Sequence, residues 1–301
     1  MLLTFLKLIA WLPLPVLHAI AYPLGWLLYG LQTKQRYYAE TNLALCFPEL
    51  SEVERRRLTR HSLVATIKVL LESPLLFLGR ASRILKLVRE VSGESLLKEA
   101  LARGKGVIIV CPHLGNWEVV GLYISRHYPM TSMYRPQRHP GLDTMIKQGR
   151  ERFGARLVPS NNQGMRELLR ALQQGKVIGT LPDQNPGVGT GVFVPFFGIM
   201  TYTPVFAGRL ANRTGASVVV VVAERLPWGR GFRIKITPAS EGIYATDNRE
   251  AADSMNHDIE NIIRTRRSST GGLTTAFVRV RKASHPSIRI NESGRLAQFA
   301  Q

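Results

Sequence analysis

His113 and Glu118 stand with four residues between them in CPHLGNWEV, directly after the apolar run VIIV. An imidazole beside a carboxylate can act as a general base. The acid fixes one tautomer, and the second ring nitrogen takes the proton of a substrate hydroxyl. Such a pair needs no serine or cysteine nucleophile. His113 follows Pro112 at the end of a strand-like run, and Asn116 is a good helix N-cap, which puts Glu118 in the first helical turn. A tight turn across LGN lets the two side chains face each other, and the helix N-terminus favours an anion or a developing oxyanion. Alone, the spacing reads first as a loop histidine and a glutamate offsetting the helix dipole. It is not a zincin motif, which needs two histidines four apart on one helix. No metal or other cofactor is expected.

Other polar residues stand at further strand ends. MYRPQRHPGLD puts Arg135 just past a strand, and the next helix carries Lys147, Arg150 and Arg152. TLPDQNPG puts Asp183 and Gln184 just past another, and GVFVPFFG adds Phe193, Phe196 and Phe197 beside Gly198. Taken singly, Arg135 reads as a solvated cation, Asp183 as a turn cap and the phenylalanines as core.

The elements that must position these groups alternate. GESLLKEALARGKG, WEVVGLYISRHY, GLDTMIKQGRERFG, MRELLRALQQGK and TPVFAGRLANRTG carry helical spacing; VIIVC, MTSMY, RLVP, VIGTLP, ASVVVVVAERL and GFRIKITP read as strands. Upstream, SEVERRRLTRHSLVATIKVLLESPLLFLG reads as one helix opened by a Ser51–Glu54 capping box. The order predicts an α/β fold, with a mostly parallel sheet flanked by helices and ligands held beyond the carboxyl ends of the strands.

The chain has 301 residues and a formal charge of +19, which favours anionic partners. Charge alone would also admit nucleic acid, but no basic motif interleaved with aromatics is present, and nucleic acid is not expected as a partner. Two cysteines, Cys46 and Cys111, make neither a disulfide framework nor a zinc quartet, and a reducing compartment is expected. The stretch 1–33 is apolar enough from Leu8 to Leu31 to cross a bilayer. Pro13, Pro15 and Pro23 interrupt it, so a kinked span or an interfacial segment fits as well. Trp11, Tyr22, Trp26 and Tyr29 suit headgroup contacts, and Lys34 and Arg36 just beyond place the body on the cytoplasmic side.

Taken with NLALCFPELSEVER, HLGNWE, YRPQRHPGLD, LPDQN, VFVPFFG and TPVFAGRLA, these features resemble the lipid A late acyltransferases, the lauroyl and myristoyl transferases of the Kdo–lipid A pathway. The resemblance runs to about residue 264 and makes HLGNWE that family's H-x4-D/E motif. It implies transfer of a fatty acyl group from acyl carrier protein to a hydroxyl of an acyl chain already on the lipid A disaccharide, at the bacterial inner membrane. It implies His113 as base and Glu118 as its orienter, with functional positions at Arg150 and Asp183. Gln184 in LPDQN and Arg135 in YRP join as candidates for substrate contact, Arg135 towards phosphate or oxyanion. Phe193, Phe196 and Phe197 are candidates for an acyl-groove wall. Expected partners are acyl carrier protein, the lipid A precursor and membrane lipids. An acyltransferase for another glycolipid or glycerolipid is the alternative.

Three segments are therefore expected: an anchor over 1–33, a catalytic domain over 34–264 and a departing tail over 265–301. The tail, TRRSSTGGLTTAFVRVRKASHPS and onward, has no helical period and is expected to be poorly ordered. Permitted codons for it, read two bases later, can give APEQYWWTYNRFRARPE, which resembles the PEQYWWxxxRFxxRP pattern with which members of that family commonly end. A frameshift near Thr265 is the expected source of the departure.

Overall fold

The computed structural model describes residues 2–183, 186 and 189–266. Gln184 and the tail from 267 lie outside the described residues. The chain opens with α1 (Leu2–Trp11), α2 (Leu14–Gly30), α3 (Lys34–Cys46), the long α4 (Glu52–Leu78) and the short α5 (Ala81–Leu85). Then β1 (Val88–Ser92), α6 (Glu94–Ala102), β2 (Val107–Val110), α7 (Trp117–His127), β3 (Met130–Tyr134) and α8 (Pro140–Glu151) follow. β4 (Arg156–Pro159), α9 (Asn162–Gln173) and β5 (Val177–Thr180) complete the alternating part. A hairpin of β6 (Gly191–Phe196) and β7 (Ile199–Pro204) leads to α10 (Phe206–Thr214), β8 (Ser217–Arg225), β9 (Phe232–Pro238) and α11 (Asn248–Arg266).

The main sheet has seven strands in the order β1-β9-β8-β2-β5-β3-β4. β8, β2, β5, β3 and β4 run parallel, β9 is antiparallel to β8, and β1 pairs parallel with β9. The sheet is thus mostly parallel, as the alternation predicts. β2 lies at its centre with all four residues fully buried. Ile108 and Val110 face a core under α3, α9, α10 and α11, while Val107 and Ile109 face one under α2, α4, α6 and α7. A strand covered on both faces must be apolar throughout, and VIIV is.

α4 starts at the expected capping box: Ser51 Oγ accepts from the Glu54 N–H, and the Glu54 carboxylate accepts from the Ser51 N–H. Two close approaches seat α8 against α4. Arg152 donates to the Gly79 and Leu76 carbonyls at 2.7 Å each, filling acceptors that the helix end leaves open. A Cβ on Gly149 would sit 2.7 Å from Phe77, so only glycine lets the helices meet there.

The apolar N-terminus is not one straight span. α1 and α2 are bent by 119° at Leu12–Pro13, where Pro13 precedes a second proline at the start of α2. Leu8, Trp11, Trp26 and Leu27 of these helices are exposed, whereas Leu14, Leu17 and Ala21 pack inward. α4 is also long and apolar enough to cross a membrane, but over half of its apolar window is buried inside the protein.

Candidate active site

β2 and β5 are neighbours in register, with Val110 opposite Thr180. His113 and Asp183 each lie three residues beyond that pair, and parallel strands with equal overhang bring their loops together. The Asp183 carboxylate accepts twice from one residue. Oδ2 takes the His113 backbone N–H at 2.7 Å, and Oδ1 lies 2.8 Å from His113 Nδ1. Both side chains are shielded, at 13% and 6% exposure, which strengthens the contact relative to water. The acid on Nδ1 is therefore Asp183, where the sequence reading expects Glu118. The correction has a local cause. Glu118 sits in the first turn of α7, with its N–H bonded to Asn116 Oδ1 at 3.1 Å, and its side chain turns towards α8.

There Glu118 meets Arg150 through two parallel bonds: Nε donates to Oε2 at 3.0 Å and Nη2 to Oε1 at 2.6 Å. This fork-to-fork geometry is the strong form of the contact. Burial works against the Arg150 charge, but Glu118 outweighs it and raises the guanidinium above its ordinary value. Trp117 joins the two halves. Its indole N–H donates to Glu118 Oε1 at 3.1 Å, and its ring meets His113 edge-on with centroids 4.7 Å apart. Tyr134 at the end of β3 lies under Arg150, 5.6 Å from guanidinium to ring centroid, and donates to Asp143 Oδ1 at 2.6 Å. Burial and that carboxylate push its phenol up to about 12.

Cys111 also borders the site. Its thiol is buried, and burial together with the Asp183 and Glu118 charges holds it well above its ordinary value. It stays protonated at neutral pH and is a poor nucleophile.

Arg135 is exposed on the loop after β3, where its carbonyl accepts from the Gln137 side chain at 3.3 Å. The three phenylalanines do not form one wall. Successive residues of β6 point to opposite faces, so Phe193 is exposed while Phe196 is buried. Phe197 occupies the tight hairpin turn at φ 51° and packs on Phe196 and Phe47, with centroids 4.9 and 5.1 Å away. Phe196 and Phe197 belong to the core over α3 and α11. Only Phe193, 5.1 Å from Tyr202, faces outward.

The sequence reading also misses Glu72 and Arg225, which bond to the turn beneath His113. A single acid in the apolar run VLLESPLLF is the signal that could have found Glu72.

The sequence model of the bacterial lipid A biosynthesis acyltransferase family matches residues 1–269. Among curated proteins, the chain is 30% identical over 253 residues to a lipid A biosynthesis palmitoleoyltransferase of Escherichia coli strain K12, covering 84% of this chain and 81% of that protein. It is 28% identical over 259 residues to the lipid A biosynthesis lauroyltransferase of the same strain, covering 86% and 84%. A lipid A biosynthesis acyltransferase of Haemophilus influenzae is 29% identical over 262 residues, covering 86% and 80%.

Proposed function

The chain belongs to the bacterial lipid A biosynthesis acyltransferase family, and from that premise we propose that it moves a fatty acyl group from acyl carrier protein to a hydroxyl of the Kdo–lipid A precursor. The observation that carries the reading is the double grip of Asp183 on His113 at the strand mouth. Nδ1 is committed to the carboxylate, so Nε2 is the nitrogen that takes the hydroxyl proton. The alcohol oxygen then attacks the thioester carbonyl. That attack forms the new C–O bond and a tetrahedral oxyanion; the oxyanion then re-forms the carbonyl, the C–S bond breaks, and the imidazolium gives its proton to the departing thiolate. Asp183 stabilises the imidazolium in between. Transfer is direct, in keeping with the protonated Cys111.

Arg150, anchored by Glu118, offers a fixed positive charge beside this path, and Arg135 on the exposed loop offers a second for a lipid phosphate. Gln184 joins them in contacting substrate, and the exposed Phe193 borders the acyl chain. The exposed apolar side of the α1–α2 pair rests in the cytoplasmic leaflet of the inner membrane, and the exposed Lys34, Arg56 and Arg57 meet anionic headgroups. Acyl carrier protein, being acidic, docks on the same basic side.

The test is transfer from acyl carrier protein to a lipid A precursor in vesicles, read by mass spectrometry. The intact chain acylates it and His113→Ala does not. Equal turnover by His113→Ala, or acylation of a glycerolipid instead, overturns the assignment. The family match closes at residue 269, in the stretch where the frameshift is proposed. Resequencing the gene with an intact mass tests that; an in-frame gene through Thr265 refutes it.

A further inference from the structure

Glu72 lies inside α4, fully buried, and its carboxylate gathers four nitrogens. Arg225 at the end of β8 donates from Nε to Oε1 at 2.7 Å and from Nη2 to Oε2 at 2.6 Å. Asn116, also fully buried, donates from Nδ2 to Oε2 at 2.6 Å, and His18 Nε2 of α2 lies 2.6 Å from Oε1. Burial alone would push this carboxyl up; Arg225 and His18 outweigh it and hold it down at about 2, so it is ionised.

Two of these partners act on the turn that carries His113 and Glu118. Arg225 donates from Nη1 to the Gly115 carbonyl at 3.0 Å. Asn116 uses its amide at both ends: Nδ2 on Glu72, and Oδ1 as the cap for the Glu118 N–H. The turn is pressed onto β8, where the Asn116 N–H donates to the Ala223 carbonyl at 3.1 Å. Gly115 has φ 65°, and a Cβ there would sit 1.9 Å from the Ala223 oxygen. A buried ion pair adds little net stability over a well-packed apolar substitute. What this one supplies is direction, because its donors fix where the turn sits between β2 and α7.

Resting on the proposed role of His113 and Glu118, we infer that Glu72 is a positioning residue for acyl transfer: through Asn116 and Arg225 it sets the Gly115–Asn116 turn and so the placement of both side chains. It touches no reacting atom. Its loss displaces the pair rather than removing it, and a misplacement on the order of 1 Å costs roughly 100-fold in rate.

The experiment uses the full chain in vesicles with acyl-loaded carrier protein and a lipid A precursor. Glu72→Gln and Asn116→Ser are compared with the intact chain and with Leu97→Ala, a buried apolar change in α6 that removes no hydrogen bond to the turn. Serine keeps a capping oxygen but cannot reach Glu72. Each is assayed well below its own melting temperature. Glu72→Gln and Asn116→Ser are expected to lower kcat about 10- to 100-fold with KM for either substrate within about twofold. Leu97→Ala is expected to lower the melting temperature while keeping kcat. Normal kcat in folded Glu72→Gln overturns the inference, as does a kcat loss in Leu97→Ala matching its own. If Glu72→Gln does not fold, Asn116→Ser decides in the same way. Activity retained by His113→Ala instead overturns the reading of the site on which this rests.

Discussion

Asp183 holds His113 by backbone and ring at once, with 2.7 Å to the N–H and 2.8 Å to Nδ1. One carboxylate therefore sets both where the residue sits and which tautomer it adopts. Asp183→Asn replaces an acceptor oxygen with an N–H₂ group and should lower kcat by roughly 10²–10⁴, the usual range for a lost acid–base function. Steady-state transfer kinetics check this. A variant within a few-fold of the intact chain would give the tautomer another source.

Glu118 and Arg150 should behave as a unit. Each alone is stranded when the other is removed, so Glu118→Ala and Arg150→Ala are expected to be non-additive in a double-mutant cycle on kcat. Arg150→Lys should fail to rescue, since an ammonium cannot reproduce the two parallel bonds to one carboxylate. Additive effects would mean that the pair in the structure is not the pair at work.

The strand ends were legible because local patterns encode them: apolar runs closed by glycine or proline gave β2, β3, β5 and β8. Partner choice was not. His113 and Glu118 are close in sequence, whereas His113 and Asp183 are 70 residues apart and meet only because β2 lies beside β5. Strand order is a tertiary property that periodicity does not carry. The hairpin β6–β7 was missed for another reason: its turn uses Phe197 at positive φ, where hairpin turns usually show Asn-Gly or Asp-Gly. β1 was missed because VREVS alternates weakly and has no fully buried residue.

The exposed apolar side of α1 and α2 predicts membrane affinity that does not need substrate. Trp11→Ser together with Trp26→Ser should weaken flotation with anionic vesicles by tenfold or more, from roughly 1.5–3 kcal/mol per large side chain withdrawn from water. Unchanged partitioning would move the contact to another surface.

Both thiols should resist alkylation in the folded chain. Burial raises Cys46 to about 12, and Cys111 is pushed up by burial and the nearby carboxylates. Iodoacetamide followed by mass spectrometry should label neither at neutral pH until denaturant is added, and transfer should survive the treatment. Rapid labelling of Cys111 with loss of activity would reopen a covalent route.

Acid stability isolates Glu72. Its folded value of about 2 lies below the ordinary 4.5, so between these the unfolded chain binds a proton that the folded chain does not. The stability it contributes is full above about pH 4.5 and is lost as the pH falls towards 2. Glu72→Gln leaves Arg225 buried without its counter-charge and should cost about 3–5 kcal/mol at neutral pH. Because the intact chain alone loses this contribution in acid, the gap between the two denaturation midpoints should narrow from pH 5 to pH 2.5, a window set by that depressed value. Parallel curves would show that folding does not depress this carboxyl, and a gap that widens in acid would show that it is neutral in the folded protein.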